Sequence, residues 1–319
     1  MKEQLRKSLQ YIEGGLFNAV EKADVGDNYT KLGEQGVDLM GWADPFTPDF
    51  SVPPHILNAC LEAMKSPVSA HYTAPIGNDD LKREIAKKLK EKNHLDVDPL
   101  RNILITPGSD SGLYFAMLSC INEGDEIIIP TPCYPNNIQN IELMHAKANF
   151  VQLKEENGYQ INIDDFKKVL TDKTKMVVLT HPNNPTTTVF NKESLYALAD
   201  FVKENNLVLV CDQAFEDFTF ENEFITPASI EGMWERTITV FSVSKGMGLS
   251  GFRVGYIVAC DEIMDSYYGC AVSILGATHT ISQIGMIEAF KDTSFMKVFE
   301  KAFDNRRKKA YEIFNSIPN

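Results

Sequence analysis

No Cys-x-x-Cys pair occurs in this 319-residue chain. Its six cysteines, Cys60, Cys120, Cys133, Cys211, Cys260 and Cys270, are scattered, and so are its six histidines. That dispersal argues against a zinc site or a disulfide framework and reads as reduced thiols in a cytosolic protein. No apolar run is long enough to span a bilayer. The segment 1–10 is polar and lacks the apolar core of a secretory signal. Positive charge is also in short supply. Lys and Arg number 31 against 44 Asp and Glu, a net charge of −13. The electrostatic term would therefore oppose binding to nucleic acid or to an anionic membrane. There is no internal repeat and no low-complexity linker. What remains, 44% hydrophobic and 24% charged residues, is the composition of an ordinary globular protein large enough for one sizeable core or two domains.

Residues 1–40 are polar and suggest an N-terminal helix and an arm. From residue 54 the pattern alternates. The apolar spacing of His55 to Lys65, after Pro53-Pro54, predicts a helix. Asp79 to Lys92 and Lys192 to Asn205 predict two more. Between helical stretches lie short β-branched runs: Ile103 to Ile105, Glu126 to Ile129, Met176 to Thr180, Leu207 to Cys211, Thr237 to Phe241 and Val254 to Ala259. They are apolar on both faces, which suits strands of a buried parallel sheet. Alternating strands and helices predict a layered α/β domain whose ligand sits beyond the carboxyl ends of the strands.

Several polar groups fall where that rule wants them. Thr106-Pro107-Gly108-Ser109-Asp110 ends a strand and opens a helix, as an anion site at a helix N-terminus would, or as a plain glycine turn with a serine cap would. Tyr134, in Pro130-Thr131-Pro132-Cys133-Tyr134-Pro135, could stack on a planar heterocycle or merely pack in its loop. Asn184, in His181-Pro182-Asn183-Asn184-Pro185-Thr186, is held extended by the following proline. Asp212 ends an apolar strand, where a carboxylate is costly without a charged partner such as a pyridinium nitrogen; the alternative is a cap on the next helix. The run from Ser242 to Tyr256 holds Lys245, a candidate for an imine with an aldehyde cofactor. Ser242, Ser244 and Arg253 in the same run could hold a phosphate.

These motifs, in this order, resemble those of the class I/II aminotransferases, aspartate-aminotransferase-like enzymes of fold type I that use pyridoxal 5′-phosphate (PLP). Arg253 follows Lys245 by eight residues and Ser242 precedes it by three, as in the family. The resemblance implies a mostly parallel central sheet flanked by helices, with a second, smaller domain. It implies an N-terminal arm and part of the small domain over 1–45, a large PLP-binding domain over 46–290, and the start of a small C-terminal domain, incomplete here, over 291–319. It implies amino transfer between an amino acid and a 2-oxo acid, with Lys245 and Asp212 catalytic. Gly108, Ser109 and Asp110 would be the phosphate loop, with Ser242, Ser244 and Arg253 beside it. Tyr134 would cover the ring, and Asn184 would contact the ring oxygen. Tyr72, in Tyr72-Thr73-Ala74-Pro75-Ile76-Gly77, would reach the phosphate of a neighbouring subunit in a homodimer. Gly41-Trp42-Ala43-Asp44-Pro45 resembles the segment that closes over substrate.

The chain also departs from the family. His181 replaces the first asparagine of Asn-Pro-x-Asn-Pro-Thr-Gly, and Thr187 replaces its glycine. Phe215 stands where tyrosine is common, and that loss is expected to raise the pKa of the imine. A carboxylate at Asp110 beside a phosphate is repulsive unless it points away. No residue matches the arginine that holds the substrate carboxylate. Carbon–sulfur lyase chemistry on the same scaffold, or a non-catalytic relative, stay open as alternatives.

Overall fold

A computed structural model describes residues 34–36 and 52–318. The expected N-terminal helix and arm and the Gly41 to Pro45 segment lie outside the described residues.

Seven strands form one sheet: β1 (Ile103–Thr106), β2 (Glu126–Thr131), β3 (Lys147–Gln152), β4 (Thr174–Thr180), β5 (Val208–Asp212), β6 (Thr237–Ser242) and β7 (Gly255–Val258). Their spatial order is β1-β7-β6-β5-β4-β2-β3. The pairs β2–β3, β2–β4, β4–β5 and β5–β6 are parallel. The expected mostly parallel sheet is present, and its exception is β7, which runs antiparallel to both β1 and β6. A short return of the chain after β6 reaches β7, and no crossover helix intervenes to restore the parallel sense.

Successive side chains of a strand point to opposite faces, and the core divides accordingly. Ile127, Ile129, Met176, Val178, Ile238, Val240 and Ile257 bury on one face, against Leu113, Phe115 and Met117 of α3 (Ser109–Leu118). Ile128, Val177, Leu179, Leu209 and Cys211 turn the other way, toward Phe166, Leu198 and Phe201. A third cluster joins Ile103, Ile105, Tyr256 and Val258 to α1 (Pro54–Lys65) and α2 (Asp79–Lys92). Helix α2 forms for legible reasons. Asn78 caps it by accepting from the Asp80 and Leu81 amides, Asp79 and Asp80 occupy its first turn, and Lys90 and Lys92 its last. Leu81, Ile85 and Leu89 form its buried stripe at four-residue spacing.

The other helices are α4 (Pro135–Leu143), α5 (Ile163–Val169), α6 (Lys192–Glu204), α7 (Asp261–Ile274), α8 (Thr280–Lys291) and α9 (Ser294–Asn315). No helix of the described residues is long and apolar enough to cross a membrane.

Candidate active site

Five strands of one sense, β1, β2, β4, β5 and β6, each deliver one motif to the same end of the sheet. The turn at Gly108 follows β1, the Tyr134 loop follows β2, the Asn184 loop follows β4, Asp212 ends β5, and Lys245 follows β6. Arg253 joins them only because β7 is reversed. Gly255, at the start of β7, pairs with Thr106 at the end of β1 and with Ser242 at the end of β6. The backbone there is packed closely. A Cβ on Gly255 would stand 2.6 Å from the Ser109 amide nitrogen, and one on Gly108 (φ +86°) would stand 2.5 Å from Nη2 of Arg253. Glycine at both positions lets the arginine lie against the helix-opening turn. Gly255 is one of four glycines in the Ser242 to Tyr256 run, and strand order decides that it is the one packed against the Ser109 amide.

The start of α3, Ser242 and Arg253 form one side of this cluster. The Ser244 amide donates to Oγ of Ser242 at 3.2 Å. Arg253 takes a left-handed conformation (φ +50°) and donates through Nη1 to the Ser250 carbonyl at 3.2 Å. Asp110 faces this group rather than the core. Its Oδ1 accepts from the Tyr134 hydroxyl at 3.0 Å and from Nδ2 of Asn136 at 3.2 Å, while its Oδ2 lies 3.8 Å from Nη2 of Arg253. Asn136 also donates to the Tyr134 oxygen at 3.0 Å. Burial, and secondarily the Asp110 charge, push the Tyr134 phenol well above its ordinary pKa, so it is a donor at neutral pH. Nothing in the sequence singled out Asn136; its part depends on three side chains meeting in space.

Asp212 is 4% exposed, and its Oδ1 accepts from the Ala214 amide at 3.0 Å. Burial pushes this carboxyl up to about 7; the Ala214 hydrogen bond opposes that shift, Asp110 adds to it, and Lys245 opposes it. A buried carboxylate in this condition fits a cationic ring nitrogen, which would restore its charge. Lys245 is half-buried, with Nζ 5.7 Å from the centre of the Phe215 ring. Behind it, Asp217 occupies the space where Gly246 lacks a side chain. Asp217 and its neighbour Glu216 pair with Lys92 and Lys88 of α2, one helical turn apart. This double ion pair, also unforeseen from sequence, ties α2 to the segments carrying Phe215 and Lys245. Burial and Asp212 raise the Cys211 thiol well above its usual value, and burial raises Cys133 to about 11. Neither is a ready nucleophile.

The two departures in the Asn184 loop have separate physical outcomes. His181 is fully buried, stacked on Phe224 at 4.8 Å and beside Phe190 at 5.6 Å, and burial lowers it to about 3. It is a neutral packing residue. Thr187 keeps the backbone of the glycine it replaces, with φ +59° and its amide donating to the Asn183 carbonyl at 2.9 Å. A β-branched residue there is strained by about 1–2 kcal/mol. Thr187→Gly is therefore expected to raise stability by about 1 kcal/mol, measured as a shift of the denaturant midpoint at constant m-value; an unchanged or lower midpoint would remove the strain argument.

Tyr72 stands apart from this group. It is 96% exposed, on a loop tied to α8 by hydrogen bonds from Thr73 to Thr280 (2.8 Å) and from Thr280 to the His71 carbonyl (2.9 Å).

Comparison with known proteins agrees with this architecture. The model of the family described as aminotransferase class I and II matches residues 43–318. An aspartate aminotransferase of Musicola paradisiaca is 34% identical over 273 residues, which is 85% of this chain and 68% of that protein. Among solved structures, the aromatic aminotransferase of Pyrococcus horikoshii superposes with a TM-score of 0.81 at 32% identity, covering 84% of this chain and 73% of that one. The aspartate aminotransferase of Thermus thermophilus with maleate gives 0.87 at 26% identity, covering 97% and 79%. The seven-stranded sheet, the strand-end motifs and these matches agree on fold and cofactor chemistry: the chain belongs to the class I and II aminotransferases, PLP-dependent enzymes that move an amino group between an amino acid and a 2-oxo acid.

Proposed function

We propose that the cluster at the carboxyl end of the sheet is the transamination site, with aspartate as the leading amino donor. The observation that carries the site assignment is the convergence of Gly108, Tyr134, Asn184, Asp212, Lys245 and Arg253, drawn from five separate segments, on one sheet end. When bound, PLP supplies an aldehyde that takes up amines and a ring that accepts electron density from the substrate α-carbon. Lys245 is the amine that holds the cofactor and then moves a proton at the substrate α-carbon. Asp212 keeps the ring nitrogen protonated, and Tyr134 covers the ring face. Asn184 orients the ring oxygen without help from Phe215, which has no hydroxyl to share that task. The Gly108-Ser109 turn, Ser242, Ser244 and Arg253 hold the phosphate.

The choice of aspartate is supported by relatives named as aspartate aminotransferases and by a neighbouring structure described with maleate, a dicarboxylate. A homodimer is supported by Tyr72, which points away from its own chain on an anchored loop. The six unpaired thiols support a reducing, cytoplasmic setting. Residues 46–290 would form the cofactor-binding domain.

The test is to load the protein with PLP and follow its visible absorbance as single amino acids are added, while assaying 2-oxo acids. The expected result is loss of the band with aspartate and stoichiometric release of its four-carbon 2-oxo acid. A band that responds to aromatic amino acids and ignores aspartate would overturn the substrate assignment. Ammonia and pyruvate from a thioether amino acid, with no amino transfer, would replace it with the lyase reading; the relatives compared above are named as transaminases.

A further inference from the structure

Among the groups around the phosphate position, Asp110 is the one whose charge has the wrong sign. A carboxylate within reach of a phosphate site raises the free energy of an anion there. Its geometry nevertheless gives it two definite tasks. One oxygen accepts from both Tyr134 and Asn136, fixing the plane of the ring that covers the cofactor. The other faces Nη2 of Arg253 at 3.8 Å, the guanidinium that a phosphate would otherwise have to itself. Arg253 has little freedom to escape this competition. Its Nη1 is bonded to Ser250, and its guanidinium lies in the space that Gly108 leaves open.

Building on the site reading above, we infer that Asp110 is a positioning residue that sets cofactor retention: it fixes the Tyr134 ring while competing with the cofactor phosphate for Arg253. The two tasks act on different parts of the ligand. Ring fixation acts on the heterocycle; competition acts on the phosphate alone. The Asp110–Arg253 pair is about half exposed on both sides, so the competition is moderate. The consequence is a cofactor held less tightly than the remaining phosphate contacts would allow, and so one that exchanges more readily.

The two tasks separate experimentally because pyridoxal carries the ring without the phosphate. Apoprotein of wild type, Asp110→Asn and Asp110→Ala is titrated with PLP and, separately, with pyridoxal, following the visible band of the bound aldehyde. Asparagine keeps the acceptor for Tyr134 and removes the charge. Asp110→Asn should therefore bind PLP about two- to fivefold more tightly, the size of a half-exposed ion pair, with pyridoxal affinity unchanged. Asp110→Ala should show the same gain in the ratio of PLP to pyridoxal affinity, but with pyridoxal itself bound several-fold more weakly. A general loss of structure would weaken both ligands in both variants and leave the ratio unmoved. PLP affinity that is unchanged or weaker in Asp110→Asn would overturn the inference while leaving the site standing. Wild-type protein that takes up neither ligand would overturn the site assignment, and the inference with it.

Discussion

Lys245→Ala protein is expected to lose amino transfer by at least about 10⁴-fold, because in the proposed site one side chain supplies two things the reaction needs. The first is a nucleophilic amine to hold the cofactor. The second is a base and acid at the substrate α-carbon, a contribution of about 10²–10⁴-fold where it has been isolated. Lys245→Arg separates charge from chemistry. It keeps a cation near the Phe215 ring, 5.7 Å from the lysine nitrogen in the native chain, but a guanidinium neither gives up a proton nor attacks an aldehyde under these conditions. Both variants should fold with native denaturant midpoints, since the side chain is half-buried at a strand end and outside the three apolar clusters. Borohydride treatment of PLP-loaded wild type should attach the cofactor permanently at Lys245, read by intact mass and peptide mapping. In the alanine variant no attachment should survive denaturation. Cofactor fixed to another lysine in wild type, Lys88 or Lys92 for instance, would sink the assignment.

The extent to which the site was legible follows from what each residue depends on. Lys245, Arg253 and Ser242 lie within one short run, so their spacing survives in the sequence. Helix α2 was readable to its ends, because Asn78, the paired acids and the terminal lysines are local signals that act through the helix's own backbone. Strand β3 was missed. Its Lys147 to Gln152 stretch has only Val151 buried, and an edge strand open to solvent lacks the apolar run that marks a central one. The direction of β7 is not legible for another reason: composition reports burial on two faces but not strand sense, which only the connections determine. That one direction matters most here, because it brings Arg253 from beyond the lysine back to the Gly108 turn. Asn136 and the Lys88–Glu216 and Lys92–Asp217 pairs were invisible since each joins segments more than twenty residues apart or is surrounded by ordinary surface-type residues. The replacement of glycine by Thr187 was seen in the sequence. Its consequence, a left-handed β-branched residue, could be measured only in the fold.

Asp212→Asn should show opposite effects on stability and on activity, and the sign of each can be worked out in advance. In the unfolded chain this carboxyl titrates near its ordinary 3.8; in the folded protein without a cationic partner it titrates at about 7. Between those values the folded state binds a proton that the unfolded state does not. Stability of the unloaded protein from this group therefore falls as pH rises from about 4 to about 7. The loss is complete above that window and amounts to about 4 kcal/mol at most, at 1.36 kcal/mol per unit. Asparagine keeps the acceptor for the Ala214 amide, 3.0 Å away, and has no charge to desolvate. The stability of Asp212→Asn relative to wild type should thus climb with pH across this window and level off above it. Taking the difference cancels other carboxylates, such as Glu216, which is lowered because the Lys88 and Lys92 charges outweigh its burial. Loading with PLP reverses the comparison. A ring N–H cation, if Asp212 holds the ring nitrogen as proposed, would remove the penalty in wild type, whereas the variant would offer only a neutral partner. Losing a buried charge partner of about 3–5 kcal/mol would slow transfer by about 10²–10³-fold or more. Urea melts of both unloaded proteins at pH 5 and pH 8, paired with single-turnover rates of the loaded ones, read both arms. Equal stability differences at the two pH values would show that Asp212 is already ionised and paired in the unloaded fold. In that case the protein, and not the cofactor, supplies its partner.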